Sequence, residues 1–123
     1  MTDKSAEQAP DAEARQAIER DLRAVEAAVR AIGGKWKIMI VAKLDGGPVR
    51  FSDLQRNMPL ISHQSLTTQL RQLQQDGVVR REVYAEVPPR VEYSLSEVGR
   101  KISPLMSSLT AWGYELLKLR EER

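Results

Sequence analysis

The sequence predicts a mainly α-helical fold with one small β-hairpin, arranged as a winged helix-turn-helix. Three observations lead there. Apolar residues recur at steps of three and four near both ends of the chain, as they do on helices with one apolar face. In the middle, a short capped segment, a proline turn and a second capped segment follow one another. Just after Gly77 the apolar period drops from helical spacing to two.

The elements follow in order. From about Asp11, the stripe Ile18, Leu22, Val25, Val29 and Ile32 predicts a helix that Gly33-Gly34 ends. A second helix fits Lys35–Leu44, with Trp36, Ile40, Val41 and Leu44 on one side and Asp45-Gly46-Gly47-Pro48 as its stop. Val49-Arg50-Phe51 is a short extended piece. Ser52 is the expected N-cap of a brief helix around Asp53–Asn57, with Leu54 inward. Pro59 breaks that helix, because the residue before proline avoids helical angles. Ser62 is the next N-cap, and its helix runs to about Asp76 and halts at Gly77.

Beyond Gly77, Val79, Val83 and Ala85 alternate with charged residues, and Val91, Tyr93 and Leu95 with Glu92 and Ser94. The turn Glu86-Val87-Pro88-Pro89-Arg90 between them makes this a hairpin. Ser96 is expected to cap a long C-terminal helix with Val98, Ile102, Leu105, Leu109, Trp112, Leu116 and Leu119 on one stripe. Pro104 within it predicts a kink or a detached first turn.

Composition excludes several classes. The chain has no cysteine, which removes disulfides, thiolate metal sites and thiol redox switching. With His63 as the sole histidine, a zinc site lacks ligands. Ser62, His63 and Ser65 are neighbours, but no third group is in view to orient the imidazole as a catalytic base. No cofactor is expected. No segment has the ~20 apolar residues of a membrane helix, and the start lacks a secretion signal, so a cytoplasmic location is expected. Residues 1–10 read as a disordered lead. Charge is uneven. Residues 1–32 hold five basic and seven acidic side chains, net −2, and residues 33–101 hold eleven and seven, net +4. A mildly basic middle permits a polyanionic partner.

The helix after Ser62 decides which partner. At 100° per residue, Leu66, Leu70 and Leu73 share one face. The opposite face carries Gln64, Thr68, Arg71 and Gln75, flanked by Ser65 and Gln72, with no carboxylate before Asp76. Glu and Lys would be ordinary on a merely solvated face. Gln matches the adenine N6/N7 edge and Arg the guanine O6/N7 edge in the major groove, and a carboxylate would be repelled by phosphate. In a helix-turn-helix the second helix is the one that enters the groove. Gln64, Ser65, Thr68 and Arg71 are therefore the candidate base readers. Lys35, Arg50, Ser62, His63 and Arg90 are candidate backbone contacts, with Arg90 expected at the hairpin tip. His63 equally suits local packing at the helix start.

These residues carry a resemblance. Gly33-Gly34-Lys35-Trp36, Arg50-Phe51-Ser52-Asp53-Leu54, Ile61-Ser62 through Leu66-Thr67, Leu70-Arg71-Gln72-Leu73, Asp76-Gly77-Val78-Val79-Arg80-Arg81 and Val87-Pro88-Pro89-Arg90-Val91-Glu92-Tyr93-Ser94-Leu95 stand in one order. Gly99, Pro104, Leu105 and Trp112 follow. Over about Leu22 to Tyr114 the sequence resembles the HxlR-type winged-helix transcriptional regulators of bacteria. The resemblance implies a homodimeric regulator of double-stranded DNA, dimerising through its first and last helices. The domain is then expected over 11–123, with dimerisation helices at 11–32 and 97–120. Ile18, Leu22, Val25 and Val29 on the first, and Leu105, Leu109, Trp112 and Leu116 on the second, are the expected interface. In one respect the chain departs from the family. Several members sense oxidants through a cysteine near the end of the first helix, and Arg23 holds that position here, followed by Ala24 in place of a frequent proline. Any small-molecule effector must then bind noncovalently, with Trp36, Trp112 and Tyr114 as the expected surroundings.

Two rivals belong to other classes. A winged helix can serve as a protein–protein module that has lost its basic face. A small enzyme would need a nucleophile, metal ligands or paired carboxylates that this sequence does not assemble.

Overall fold

The computed structural model describes residues 11–122. They form α1 (Ala12–Ile32), α2 (Lys35–Leu44), β1 (Val49–Arg50), α3 (Phe51–Asn57), α4 (His63–Gln75), β2 (Val79–Tyr84), β3 (Arg90–Leu95), α5 (Glu97–Arg100) and α6 (Ser103–Glu121). The expected lead, residues 1–10, lies outside the described residues, as does Arg123.

The chain divides after Arg30 into two units. Of the first, the described part is most of α1. Its start is capped by Asp11, whose carboxylate accepts the Ala14 N–H at 2.8 Å. Ile18, Leu22, Val25 and Val29 run along it as an exposed apolar stripe.

The second unit holds the core. Ile40, Val41 and Leu44 of α2, Leu54 of α3, Leu66, Leu70 and Leu73 of α4, and Val79, Tyr93 and Leu95 of the sheet are all buried. Each fully buried leucine contributes about 1.5–3 kcal/mol relative to exposure, so the three on α4 fix which way that helix faces. The turn between α3 and α4 is also anchored inside. Met58 and Ile61 are buried, and the Gln55 side-chain amide donates to the Ile61 carbonyl at 2.9 Å.

α4 ends as its glycine dictates. Gly77 takes φ +82°, the left-handed region that favours glycine. Its N–H donates to the Gln74 carbonyl at 3.0 Å, and the Val78 N–H donates to Leu73 at 2.9 Å. This paired closure satisfies the last carbonyls of the helix and turns the chain into β2.

The structure completes one local expectation, corrects a second and bears out part of a third. The extended piece at Val49–Arg50 is a strand paired antiparallel with β3, so the hairpin sits in a three-stranded sheet of order β1-β3-β2. α3 starts at Phe51, with Arg50 as its extended N-cap residue and no capping side chain, so Ser52 lies inside the helix. The reason is tertiary: Val49 and Arg50 pair with Tyr93 and Glu92, which holds the backbone extended to Arg50. Finally, the C-terminal helix is two helices, the detached first turn that Pro104 predicts. Ser96 caps only α5, its Oγ accepting the Gly99 N–H at 2.9 Å, and α6 begins at Ser103 with Pro104 in its first turn. The expected helix 97–120 is therefore broken at Lys101-Ile102, where proline's missing N–H is tolerated. Ile102 packs on the core. Along α6, Leu105, Trp112 and Leu116 are exposed and Leu109 is half-buried.

Candidate nucleic-acid interface

α4 presents its polar face because its leucines are committed elsewhere. The Ser62 Oγ accepts the Ser65 N–H at 3.0 Å and caps the helix as expected. Gln64, Ser65 and Arg71 are exposed, on the side away from Leu66, Leu70 and Leu73. Thr68 is half-buried, and its hydroxyl donates back to the Gln64 carbonyl at 3.0 Å. That leaves Thr68 an acceptor and a methyl group to offer a base, not a donor.

His63 opens the helix, with its ring edge-to-face on Phe51 at 4.9 Å between centroids. Phe51 in turn lies 6.3 Å from Tyr93 in a tilted pair. The imidazole is thus packed by α3 and still exposed, so packing does not remove it from the surface.

A cleft of about 830 Å³ lies between α4 and the hairpin. Arg50, Arg71 and Arg81 line it, with His63, Thr67 and Gln74, and the loop from Glu86 to Arg90 forms its other side. Among the described residues these three arginines form no ion pair. Unneutralised guanidiniums lining one concave surface favour a polyanion, and their forked donors match phosphate.

Arg81 and Gln74 were not among the residues expected from sequence. A signal for Arg81 was there: strand side chains alternate, so Arg81 shares the face of Val79 and of its cross-strand partner Tyr93. The remaining positioning candidates are spread out. Arg50 and His63 line the cleft, whereas Lys35, at the start of α2, is exposed with its ammonium 4.7 Å from the neighbouring Trp36 ring.

Arg90 differs from its expected placing. It is the first residue of β3, paired with Tyr84, and stands below the hairpin tip. Its Nη1 lies 3.0 Å from Glu92 and its Nη2 3.3 Å from Glu86. The guanidinium sits 3.9 Å above the Tyr84 ring, and its Nε is buried without a partner. Desolvation, then the neighbouring Glu82 carboxylate, raise the Tyr84 phenol above its ordinary value.

A three-helix and sheet arrangement, a turn pinned between α3 and α4, an outward amide- and guanidinium-bearing face and a hairpin beyond it match one known group. The HxlR-like helix-turn-helix profile covers residues 31–121. The chain belongs to the HxlR-like helix-turn-helix family. It is a DNA-binding transcriptional regulator of that family.

Similar proteins include the HTH-type transcriptional regulator YtcD of Bacillus subtilis, 52% identical over 89 residues, which covers 72% of this chain and 71% of YtcD. An HTH-type regulator of Methanothermobacter thermautotrophicus is 48% identical over 92 residues, 75% of this chain and 70% of its own. Among solved structures, the redox regulator HypR in its reduced form superposes with a TM-score of 0.74 at 42% identity, over 80% of this chain and 98% of HypR. The present HxlR-like chain has no cysteine. Among its described residues no cluster of His, Cys, Asp or Glu could hold a metal ion, and no helix is long and apolar enough to cross a membrane.

Proposed function

We infer that the regulator acts as a homodimer on a two-fold-symmetric operator, one α4 entering the major groove at each half-site. Gln64, Ser65, Thr68 and Arg71 read base edges. Arg50, Ser62, His63 and Lys35 hold the phosphates, joined by Arg81. The observation that supports this most is the carboxylate-free outer face of α4 beside three arginines that form no ion pair among the described residues. Dimerisation is proposed from the exposed stripes: Ile18, Leu22, Val25 and Val29 on α1, and Leu105, Trp112 and Leu116 with half-buried Leu109 on α6. Apolar stripes of this length on a small protein usually mark contact surfaces. Half-sites are then spaced by about one helical turn, ~10 bp, or a multiple of it. No catalytic role is assigned.

The test is a gel shift with the region upstream of the protein's own gene, repeated at several salt concentrations. Binding that weakens steeply with salt supports the assignment. No salt-dependent binding to any duplex would instead favour a protein–protein module. Without a thiol, a switching ligand in this proposal binds noncovalently near Trp36, Trp112 or Tyr114. Tryptophan fluorescence followed alongside operator affinity tests it, and an affinity that no ligand moves makes the protein constitutive.

A further inference from the structure

We propose that the hairpin reaches DNA through an apolar tip, Val87-Pro88-Pro89, wedged into the minor groove, and that Arg90 positions this tip without contacting phosphate itself. The inference rests on the DNA-binding reading above. It starts from a count of charges. Between Tyr84 and Arg90 the only cation is Arg90 and the only carboxylate Glu86; counting the strands as well, Arg80, Arg81 and Arg90 stand against Glu82, Glu86 and Glu92, so the hairpin sums to zero. A hairpin with that balance does not attract phosphate by net charge.

The one cation is already occupied. Both terminal nitrogens of Arg90 lie against carboxylates, on Glu86 within the loop and Glu92 on β3, its plane covers Tyr84, and its Nε is buried. A phosphate would have to compete with these two carboxylates for the guanidinium. What the cluster does is tie the loop to the strands: Glu86 is drawn toward β3 through Arg90, and the Glu86 N–H donates to the Tyr84 carbonyl at 2.9 Å. Beyond this tie, Val87, Pro88 and Pro89 are exposed, Val87 completely.

An exposed valine next to two prolines gives the turn an apolar surface that suits a groove. Apolar side chains, proline included, serve as wedges between minor-groove walls and base steps, where they unstack and bend the duplex. The tip is also continuous with the DNA-binding face, because Val87, Pro88 and Pro89 line the same cleft as Arg71 and Thr67 of α4. A duplex whose major groove takes α4 brings its adjacent minor groove toward that loop.

The experiment uses the full-length protein and an operator duplex selected from a random library with the wild type. Binding is measured by anisotropy across a salt series, and bending by energy transfer between duplex ends. Val87→Ser is expected to weaken binding about tenfold, with an unchanged salt slope and a smaller bend. Arg90→Ala and Arg90→Lys are both expected to weaken binding with the slope retained, since neither keeps the two-carboxylate bridge. Arg81→Ala, by contrast, lowers the slope by about one. Replacing flanking A·T pairs by inosine·cytosine, which keeps the A·T minor groove, should leave binding intact. If Val87→Ser binds and bends like the wild type, or if Arg90→Ala lowers the slope by about one while Arg90→Lys restores it, the wedge is wrong and DNA binding stands. If the library yields no bound duplex, the DNA-binding reading fails and the wedge with it.

Discussion

Gly99 lies directly against the main-chain carbonyl of Val78. A β-carbon built on Gly99 would fall inside that oxygen's contact shell, and its backbone neighbours there leave nothing flexible to move. The approach is close because Ser96 joins the two segments. Its hydroxyl donates to the Gly77 carbonyl at 2.6 Å, its Oγ accepts the Gly99 N–H at 2.9 Å, and its own N–H donates to the Val78 carbonyl at 3.0 Å. The end of α4 and the start of α5 thus meet on one serine and one glycine.

Gly99→Ala should therefore destabilise the protein by about 1–3 kcal/mol, the usual cost of forcing a methyl into a filled site. Thermal or urea unfolding measures it. A variant as stable as the wild type would mean that α5 does not pack on Val78 as described.

Ser62 separates stability from DNA affinity. Ser62→Ala removes the acceptor for the Ser65 N–H and should cost about 1 kcal/mol of stability. Ser62→Asp keeps a capping oxygen and suits the positive helix start, so stability should be retained. It also places a carboxylate where phosphate is proposed to sit, so operator affinity should fall. An Ser62→Asp protein that binds as tightly as the wild type would remove the start of α4 from the interface.

Readout and positioning should also part. Arg71→Ala is expected to cost about 1–3 kcal/mol on the preferred operator and to relax the preference at one base pair. Arg50→Ala should weaken all sequences alike and lower the salt slope by about one. Selection of operators by each variant, followed by salt titration, checks both. If Arg71→Ala and Gln64→Ala each keep the wild-type preference, α4 is not the reading helix.

The proposed dimer has its own test. Leu22→Glu on α1 or Leu116→Glu on α6 should shift the mass by sedimentation from dimer toward monomer while circular dichroism keeps its helical signal. Both residues are exposed on the single chain, so a charge there costs little except at a partner's surface. Operator affinity should drop with the mass, since one half-site holds a monomer weakly. Wild-type mass in both variants would sink the interface.

Much of this protein was legible in one dimension wherever a local rule acts alone. The leucine stripe of α4 sits at helical spacing, and the structure buries all three of its members. Ser62 caps and Gly77 stops that helix by forces confined to a few neighbouring residues. The carboxylate-free outer face followed from the same wheel, and the order of motifs was enough to place the chain in its family. Only the tertiary structure decided the rest, because those features depend on what lies far along the chain. The extended piece at Val49–Arg50 finds its partner in β3, some forty residues on, and that pairing rather than Ser52 sets the start of α3. Arg81 joins Arg50 and Arg71 in one cleft because the hairpin register turns it there. Arg90 looked like a free cation in a basic stretch. Folding brings Glu86, Glu92 and Tyr84 around it, and an ion pair between strands has no signature in sequence spacing, so only the folded chain shows that charge already spent.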